Sequence, residues 1–285
     1  MQAEAARLPS DVAGLDALEL GITSRQPALG RVWSALWPRV SAVALVFAAW
    51  QVVTWSHIWP DYVLPGPVPV LGTLAQYATQ GAFYGAVGVT LERAAVGYAT
   101  AIVLGLIAGA VIAQTPVLRT AVGSMITGLQ SMPSIAWFPL AILLFGLTEG
   151  AIIFVVLLGA APAVANGLIS GIDHIPPLMV RSGRAMGANR FQLYRHVIIP
   201  AAVPALLGGL KQAWAFAWRS LMAGELLVIV SHRPSLGVRL QLAREFSDAQ
   251  SLLATMLVVF GVGMVVDALF GVVDRMVRNR WGLAR

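Results

Sequence analysis

The sequence has very little charge. Charged residues occupy 11% of its 285 positions and hydrophobic residues 58%, whereas about a quarter of the residues in a soluble domain are charged. A chain of this composition cannot cover a globule with polar surface, which excludes an ordinary soluble protein. Because lipid offers the backbone no hydrogen-bond partners, the long apolar runs predict an all-α integral membrane protein.

Cysteine is absent, so disulfides and thiolate metal sites are excluded. Lysine occurs only at Lys211, and the net charge of +6 therefore comes from arginine. The arginines cluster in short segments between apolar runs, which indicates loops at an anionic membrane face rather than a nucleic-acid interface. The four histidines are scattered without metal-ligand spacing, and we expect no metal site.

Sequence signals of catalysis are also missing. The chain has no Gly-x4-Gly-Lys-Ser/Thr loop, so it does not bind ATP in that way. It shows no His, Asp, Glu and Ser at catalytic spacing, which argues against a membrane-embedded enzyme. Few acids lie in the apolar runs and no internal repeat is evident, which argues against an ion-coupled secondary transporter. These two classes remain the alternatives to the interpretation below.

Six apolar runs predict six transmembrane helices, each near the twenty residues that a span needs. They cover about 40–54, 94–113, 122–145, 151–172, 203–230 and 252–273. Gly97, Gly105 and Gly109 in the second span favour close helix packing. Pro133 and Pro139 break the third span, and residues 70–85 form an amphipathic segment along the surface.

The distribution of basic residues predicts that both termini are cytoplasmic. Thirteen of the nineteen then lie inside: Arg7, Arg25, Arg31, Arg39, Arg119, Arg181, Arg184, Arg190, Arg195, Arg275, Arg278, Arg280 and Arg285. The predicted organisation is a cytoplasmic tail at 1–39, an anchor at 40–57, an extracytoplasmic loop at 58–93, a core at 94–275 with a cytoplasmic loop at 173–200, and a tail at 276–285. We expect Glu149 and Asp248 in outer loops.

The loop "RSGRAMGANRFQLYRHVIIP" at 181–200 interrupts the apolar sequence with four arginines. Pro177 suits the first turn of a helix, and Gly187 permits a bend. Beyond it, Phe191, Tyr194 and Ile198 recur at helical steps and predict an apolar stripe. An ordinary loop among lipid phosphates explains the charge, whereas a docking helix for a cytoplasmic partner also explains the bend and the stripe.

Gly187, followed by nine residues and then Val197, Ile198, Ile199 and Pro200, resembles the loop signature of permease subunits in bacterial ATP-binding-cassette importers. That signature is Glu-Ala-Ala, three residues, Gly, nine residues, Ile-x-Leu-Pro. The flanks "LPGPVPVLGTL", "QSMPSIAWFPLAILLFG" and "AWRSLMAGELL" resemble the nitrate, sulfonate, taurine and bicarbonate branch. One departure is that Arg181, Ser182 and Gly183 stand at the Glu-Ala-Ala positions, so the acid is replaced by a base.

The resemblance implies a bacterial inner-membrane permease that is not itself an enzyme. Its implied partners are a second permease copy, two ATPase subunits that carry ATP and Mg²⁺, an extracytoplasmic binding protein and membrane lipid. It binds no cofactor of its own. The resemblance places coupling to the ATPase at Arg181, Ser182, Gly183, Ala185, Gly187, Ala188, Phe191 and Pro200.

Charged and helix-breaking residues inside the spans are candidates for the translocation pathway, because charge in lipid is costly. They are Lys211, Arg219, Glu225 and Pro133. The alternatives are pairing of the cations with Glu225, Glu92 or Asp267, and a simple kink at Pro133. The expected substrate is a small oxyanion, namely an aliphatic sulfonate such as taurine, or nitrate. A vitamin precursor such as a pyrimidine is the alternative.

Overall fold

The computed structural model describes residues 28–280, except for the side chains at 28–36, 39, 116, 120 and 122. Every regular element in this range is a helix, which confirms the predicted all-α class. The chain divides into two compact units, Met1–Ile58 and Trp59–Arg285. Most of the predicted N-terminal tail and the last five residues lie outside the described residues.

In the first unit, helix α1 spans Ala28–Trp55. Its apolar part, Val40–Trp55, coincides with the first predicted span, but the helix itself begins well before it. Near its end, the Thr54 hydroxyl donates to the Gln51 carbonyl at 2.8 Å. Such bonds satisfy carbonyls for which the last helical turn has no backbone partner.

The second unit contains the remaining helices. They are α2 (Pro67–Tyr77), α3 (Gly81–Gln114), α4 (Pro116–Ser131), a 3₁₀ turn (Ser134–Trp137), α5 (Phe138–Phe145), α6 (Glu149–Asp173), α7 (Pro177–Ala185), α8 (Arg190–Leu193), a π-helical turn (Tyr194–Ile198), α9 (Ile199–Leu227), α10 (Leu236–Glu245) and α11 (Ala249–Arg280). Helix α8, the π-helical turn and α9 form one continuous helix, Arg190–Leu227.

Four of the described helices are long and apolar enough to cross a membrane: α3, α6, the continuous helix Arg190–Leu227, and α11. The bent pair Val117–Ser131 and Ser134–Phe145 makes a fifth span if its two halves are taken together. With the shorter apolar segment of α1, these elements match the six predicted spans in order. The count of six and the orientation of the termini stay predictions.

Helix α6 forms the centre of the second unit, between α3 and α9. A β-carbon at Gly105 of α3 would lie 2.6 Å from the carbonyl oxygen of Ala161. One at Gly209 of α9 would lie 2.5 Å from the α-carbon of Gly167. These separations require glycine, because they bring the helix backbones into direct contact, as small residues do in lipid. The predicted close packing through the glycines of α3 is confirmed.

The remaining core is filled by apolar side chains that α5, α6 and α9 direct inward. Phe138, Ile152 and Leu221 are essentially inaccessible to solvent. Trp214 and Trp218 stack at 5.7 Å between ring centres on the buried face of α9. Their spacing of four residues predicts this shared face, and the structure assigns both rings to packing.

The prediction from sequence is wrong at two helix boundaries. Helix α3 begins at Gly81, so the second half of the predicted surface segment 70–85 is continuous with the second span. Residues 81–93 contain no proline or turn signal, so nothing ends the helix there. Pro139 occupies the first turn of α5 and starts a helix rather than breaking one, since its missing N–H has no partner in that turn anyway.

Candidate functional site

The loop predicted to be cytoplasmic forms a bent pair of helices, which we call the elbow (residues 177–200). Helix α7 ends at Ala185, and Gly187, two residues later, has a φ of +82° in the left-handed region. The N–H of Gly187 donates to the Arg184 carbonyl at 3.0 Å, and that of Ala188 to the Gly183 carbonyl at 3.1 Å. This pair of bonds is the Schellman helix ending, which favours glycine at that position. The space around Gly187 is open, so a side chain would fit there. Glycine is therefore needed for its backbone conformation and not for close packing.

The second arm of the elbow begins immediately after this ending. The Asn189 side chain accepts the Gln192 N–H at 2.8 Å, and the Gln192 side chain accepts the Asn189 N–H at 2.9 Å. This reciprocal capping box satisfies two free donors at the start of α8. The Asn-x-x-Gln pattern at 189–192 is the sequence signal from which this cap could have been predicted. Two consecutive capping motifs hold the bend in one conformation.

The inner side of the elbow packs the two arms against each other. A β-carbon at Gly183 would lie 2.8 Å from Cδ1 of Leu193 and 3.5 Å from Cγ2 of Val197. Gly183 and Leu193 are buried. Phe191, predicted to lie on an apolar stripe, is 73% exposed. The contact with Gly183 places Leu193 on the inner side of α8, and Phe191 lies on its outer side.

The other predicted coupling residues lie on or near the surface of the elbow. Arg181, Ser182, Ala185 and Gly187 are exposed, and Ala188 and Pro200 are half-buried. Pro200 lies in the first turn of α9, so the loop signature ends where the membrane span starts. The structure brings the whole predicted set together in the elbow.

A second set of predicted residues lies on one face of α9. Lys211 and Arg219 are exposed, as is Ala215 between them. Residues four apart share a helix face, so these positions form an exposed stripe that runs beside the buried tryptophans. We call residues 211, 215 and 219 the cationic face.

The two cations of this face have different surroundings. Lys211 Nζ lies 3.0 Å from Asp267 Oδ1 of α11, so one of the pairings considered from sequence is present. Arg219 donates to the Ala215 carbonyl at 3.0 Å, and its guanidinium lies 4.9 Å from the centre of the Phe216 ring. No carboxylate in the described residues forms an ion pair with Arg219. Its charge therefore remains available to a ligand.

Pro133 lies at the break between α4 and the 3₁₀ turn. The two halves of this span meet at 100°, a larger change of direction than a simple kink. Met132 adopts an extended conformation, as the residue before proline prefers. Pro133 is exposed, and its carbonyl accepts the Ala136 N–H at 3.0 Å. A pathway role for Pro133 stays a prediction.

Glu225, the last pathway candidate, is fully buried in a polar cluster. Its carboxylate accepts from Arg93 Nη1 at 2.9 Å, from the Thr90 hydroxyl at 2.9 Å and from the Gly237 N–H at 3.0 Å. Thr90 Oγ1 in turn accepts the Leu236 N–H at 3.0 Å. These contacts join α3, α9 and the start of α10, which gives Glu225 a structural task. We call Thr90, Glu92, Arg93, Glu149, Glu225 and Arg233 the ion cluster.

Arg93 connects Glu225 to a second carboxylate. Its Nε and Nη2 atoms each donate to Glu149 at 2.7 Å, in the bidentate geometry that guanidinium and carboxylate favour. Arg233 contacts both Glu92 and Glu149, and its Nη1 lies 3.5 Å from the latter. Arg93 is only 2% exposed. Sequence reasoning missed this cluster because its members are far apart in the chain and no spacing relates them.

Asp248, predicted in an outer loop, caps the start of α11. Its Oδ1 accepts the Ser251 N–H at 3.0 Å. Hydrogen bonds from the Ser251 side chain, and then from its backbone N–H, lower the pKa of Asp248 because they favour the charged carboxylate. Its first task is therefore to start a helix.

The part of the chain described by the structure contains no group of three or more His, Cys, Asp or Glu that could hold a metal ion. In the ion cluster, guanidinium groups occupy the space between the carboxylates. The candidate functional features of the described residues are therefore the elbow, the cationic face and the ion cluster.

A bundle of apolar helices with an exposed, capped elbow is the architecture predicted for a membrane permease. The chain belongs to the family described as binding-protein-dependent transport system inner membrane component, whose sequence pattern matches residues 101–279. It is thus the permease component of an ABC importer rather than an enzyme, as the loop signature predicted.

Related proteins are distant but extend over most of the chain. The taurine transport system permease protein TauC of Escherichia coli (strain K12) is 26% identical over 81% of this chain and 82% of its own length. The nitrate import permease protein NrtB of Synechococcus elongatus is 28% identical, covering 67% and 71%. The riboflavin transport system permease protein RibX of Chloroflexus aurantiacus is 27% identical, covering 92% and 97%.

The fold is also similar to a solved transporter. An inward-facing crystal form of the MetNI methionine ABC transporter superposes with a TM-score of 0.53 at 23% identity, covering 70% of this chain and 95% of that one. This similarity shows that the helix arrangement is a fold found in a solved ABC transporter.

Proposed function

We propose that this chain couples ATP hydrolysis in partner subunits to import of a small oxyanion across a bacterial inner membrane. The working assembly contains two copies of the permease, two ATPase subunits that bind ATP and Mg²⁺, and an extracytoplasmic binding protein. The elbow is the observation that carries this proposal. It is exposed, two capping motifs hold its shape, and we place it on the cytoplasmic side.

The elbow meets the mechanical requirements of a coupling element. Closure of the ATPase pair must move the elbow as a unit, since a flexible loop would absorb the displacement. The ending at Gly187 and the capping box of Asn189 remove that freedom. The second arm continues into α9 through the π-helical turn. Movement of the elbow therefore passes directly to a transmembrane helix, as a rigid-body switch between two packings requires.

The cationic face supports the choice of an oxyanion. A sulfonate or nitrate presents several acceptor oxygens, and a guanidinium donates two parallel hydrogen bonds to such groups. Arg219 has this capacity, because it bonds only to a backbone carbonyl and an aromatic ring in the described residues. The charge of Lys211 is balanced by Asp267. We therefore assign substrate attraction to Arg219 ahead of Lys211.

Uptake by the reconstituted transporter tests the proposal. The chain, its co-encoded ATPase and its binding protein are placed in proteoliposomes, and ATP-dependent uptake of taurine and of nitrate is measured. Riboflavin uptake is measured alongside, because one relative carries that name. We expect uptake of one of the two anions with ATP. Uptake by the chain alone under an ion gradient would contradict the proposal and favour a secondary transporter.

Arg219 can be tested in the same assay. Arg219→Ala should reduce anion uptake about tenfold or more, since a hydrogen bond to a charged group contributes about 1.5–3 kcal/mol. Arg219→Lys should retain part of the activity. Arg244→Ala, which removes an exposed arginine from the last turn of α10, is the matched control and should leave uptake unchanged. Full uptake by Arg219→Ala would make Arg219 a structural residue.

A further inference from the structure

We propose that the elbow docks into an acidic cleft of its ATPase partner, with a carboxylate facing Arg181; this inference rests on the proposed function. Between Asp173 and Lys211 the sequence contains four arginines and no Asp or Glu. The elbow therefore contains no acidic residue of its own, and any partner carboxylate must come from another molecule.

The four arginines are accessible in the structure. Arg181, Arg184, Arg190 and Arg195 are all exposed, and none forms an ion pair with a carboxylate of the described residues. Arg119, another basic residue predicted on the cytoplasmic side, is paired with Asp173. The elbow thus carries four positive charges without acidic partners in the described residues, whereas Asp173 neutralises the charge of Arg119.

The exposed surface of α7 combines this charge with apolar area. Leu178 is 72% exposed and lies three residues before Arg181, and Ala185 lies four residues after it, so all three share one helix face. At the bend and on the second arm, Met186 is 81% and Phe191 73% exposed. Protein interfaces are enriched in methionine, aromatic side chains and arginine together. A mixed surface of this kind fits a protein cleft with apolar walls and acidic groups.

The position of Arg181 determines the sign of the facing charge. Arg181 occupies the position of the glutamate in the loop signature described above, on the exposed surface of α7. A partner surface that suits a glutamate there would repel Arg181, and juxtaposed like charges cost several kcal/mol. Because the two capping motifs fix the backbone of the elbow, Arg181 stays on this exposed surface. The partner of this chain must therefore present a carboxylate at that point.

Charge reversal in the purified complex tests the inference. The full chain is co-purified with its co-encoded ATPase, and ATPase affinity is measured at increasing salt. Arg181→Glu should weaken ATPase binding about tenfold or more, because like charges then face each other in a desolvated contact. Arg181→Lys should bind nearly as well as the natural chain, and Arg244→Glu is the control far from the elbow. Replacing the facing acid of the ATPase by lysine should restore binding to Arg181→Glu.

The acidic residue can be located by cross-linking, since the chain has no cysteine. Arg181→Cys labelled with a short photoreactive probe should capture an ATPase peptide that contains Asp or Glu. Measurements in phosphatidylcholine and phosphatidylglycerol nanodiscs separate the protein partner from lipid. An Arg181→Glu defect found only with phosphatidylglycerol would assign the arginines to lipid phosphate and overturn the inference.

The acidic cleft and the proposed function can be disproved separately. Unchanged ATPase affinity of Arg181→Glu would overturn the acidic cleft while the elbow remains the docking element. Absence of any ATPase on the natural chain, together with no ATP-dependent uptake, would overturn the proposed function as well.

Discussion

At the scale of single residues, the structure separates charges that look equivalent in the sequence. Glu225 lies in the last turns of α9 and had the pattern of a pathway residue. Its carboxylate is inaccessible and has three donors. Arg219, two turns earlier on the same helix, is exposed and has no acidic partner among the described residues. Burial and partners, rather than residue type, distinguish a buried, paired charge from an exposed one without an acidic partner among the described residues.

Glu225→Gln should destabilise the protein. Removing one member of a buried ion pair costs about 3–5 kcal/mol, because the remaining charge loses its compensation. Here Glu149 still neutralises Arg93, so we expect a loss near the lower limit, seen as a lower thermal midpoint in detergent. Glu92→Gln is the matched control. Its carboxylate is 59% exposed, and exposed pairs contribute about 0–1 kcal/mol. Equal midpoints for Glu225→Gln and Glu92→Gln would contradict the structural assignment.

At the scale of elements, the elbow shows how short-range sequence signals determine the shape of a proposed coupling element. A glycine that ends one helix and an asparagine that starts the next are separated by a single residue. Both signals are short-range, since each acts through backbone hydrogen bonds within a few residues. The bend was therefore predictable from Gly187. The side of α8 that faces α7 was not predictable, because it depends on contacts of Gly183 with Leu193 and Val197.

Gly187→Val should uncouple the elbow without preventing membrane insertion. A β-branched residue is strained at the φ of Gly187, so the Schellman ending opens and the two arms lose their fixed angle. We expect ATP hydrolysis by the assembled complex to continue without substrate uptake. The readout is the ratio of uptake to hydrolysis in proteoliposomes.

Gly88→Val is the control for this substitution. Gly88 also has open space around it, but its φ lies outside the left-handed region. Its ratio of uptake to hydrolysis should equal that of the natural chain. A normal ratio for Gly187→Val would mean that the bend does not transmit the movement.

At the scale of the whole molecule, the ion cluster links helices that must move during transport. It joins α3, α6, α9 and α10, and a β-carbon at Gly237 would lie only 2.2 Å from Cβ of Glu225. Buried and bidentate contacts of this kind have little room for adjustment. We therefore expect these four helices to move as one rigid body when the transporter changes between its two states.

Distance measurements test this rigid body. Leu91 of α3 and Leu242 of α10 are exposed, and spin labels on Leu91→Cys and Leu242→Cys are specific because the chain has no other thiol. Their separation should stay constant between nucleotide-free and ATP-bound complexes. Labels at Met186→Cys on the elbows of the two proposed permease copies should change their separation. A change between positions 91 and 242 would show that α10 moves independently.

Composition, periodicity and one loop motif were sufficient to predict an all-helical membrane permease, because bilayer thickness and backbone hydrogen bonding leave few solutions for such a chain. They also located the glycines of α3 and the bend at Gly187, which depend on helix geometry and local φ. The partner of each charge could not be predicted. Arg93, Glu149 and Glu225 meet only because α3, α6 and α9 pack side by side. Contacts between residues so far apart in the chain depend on the register and rotation of packed helices, which no local pattern encodes.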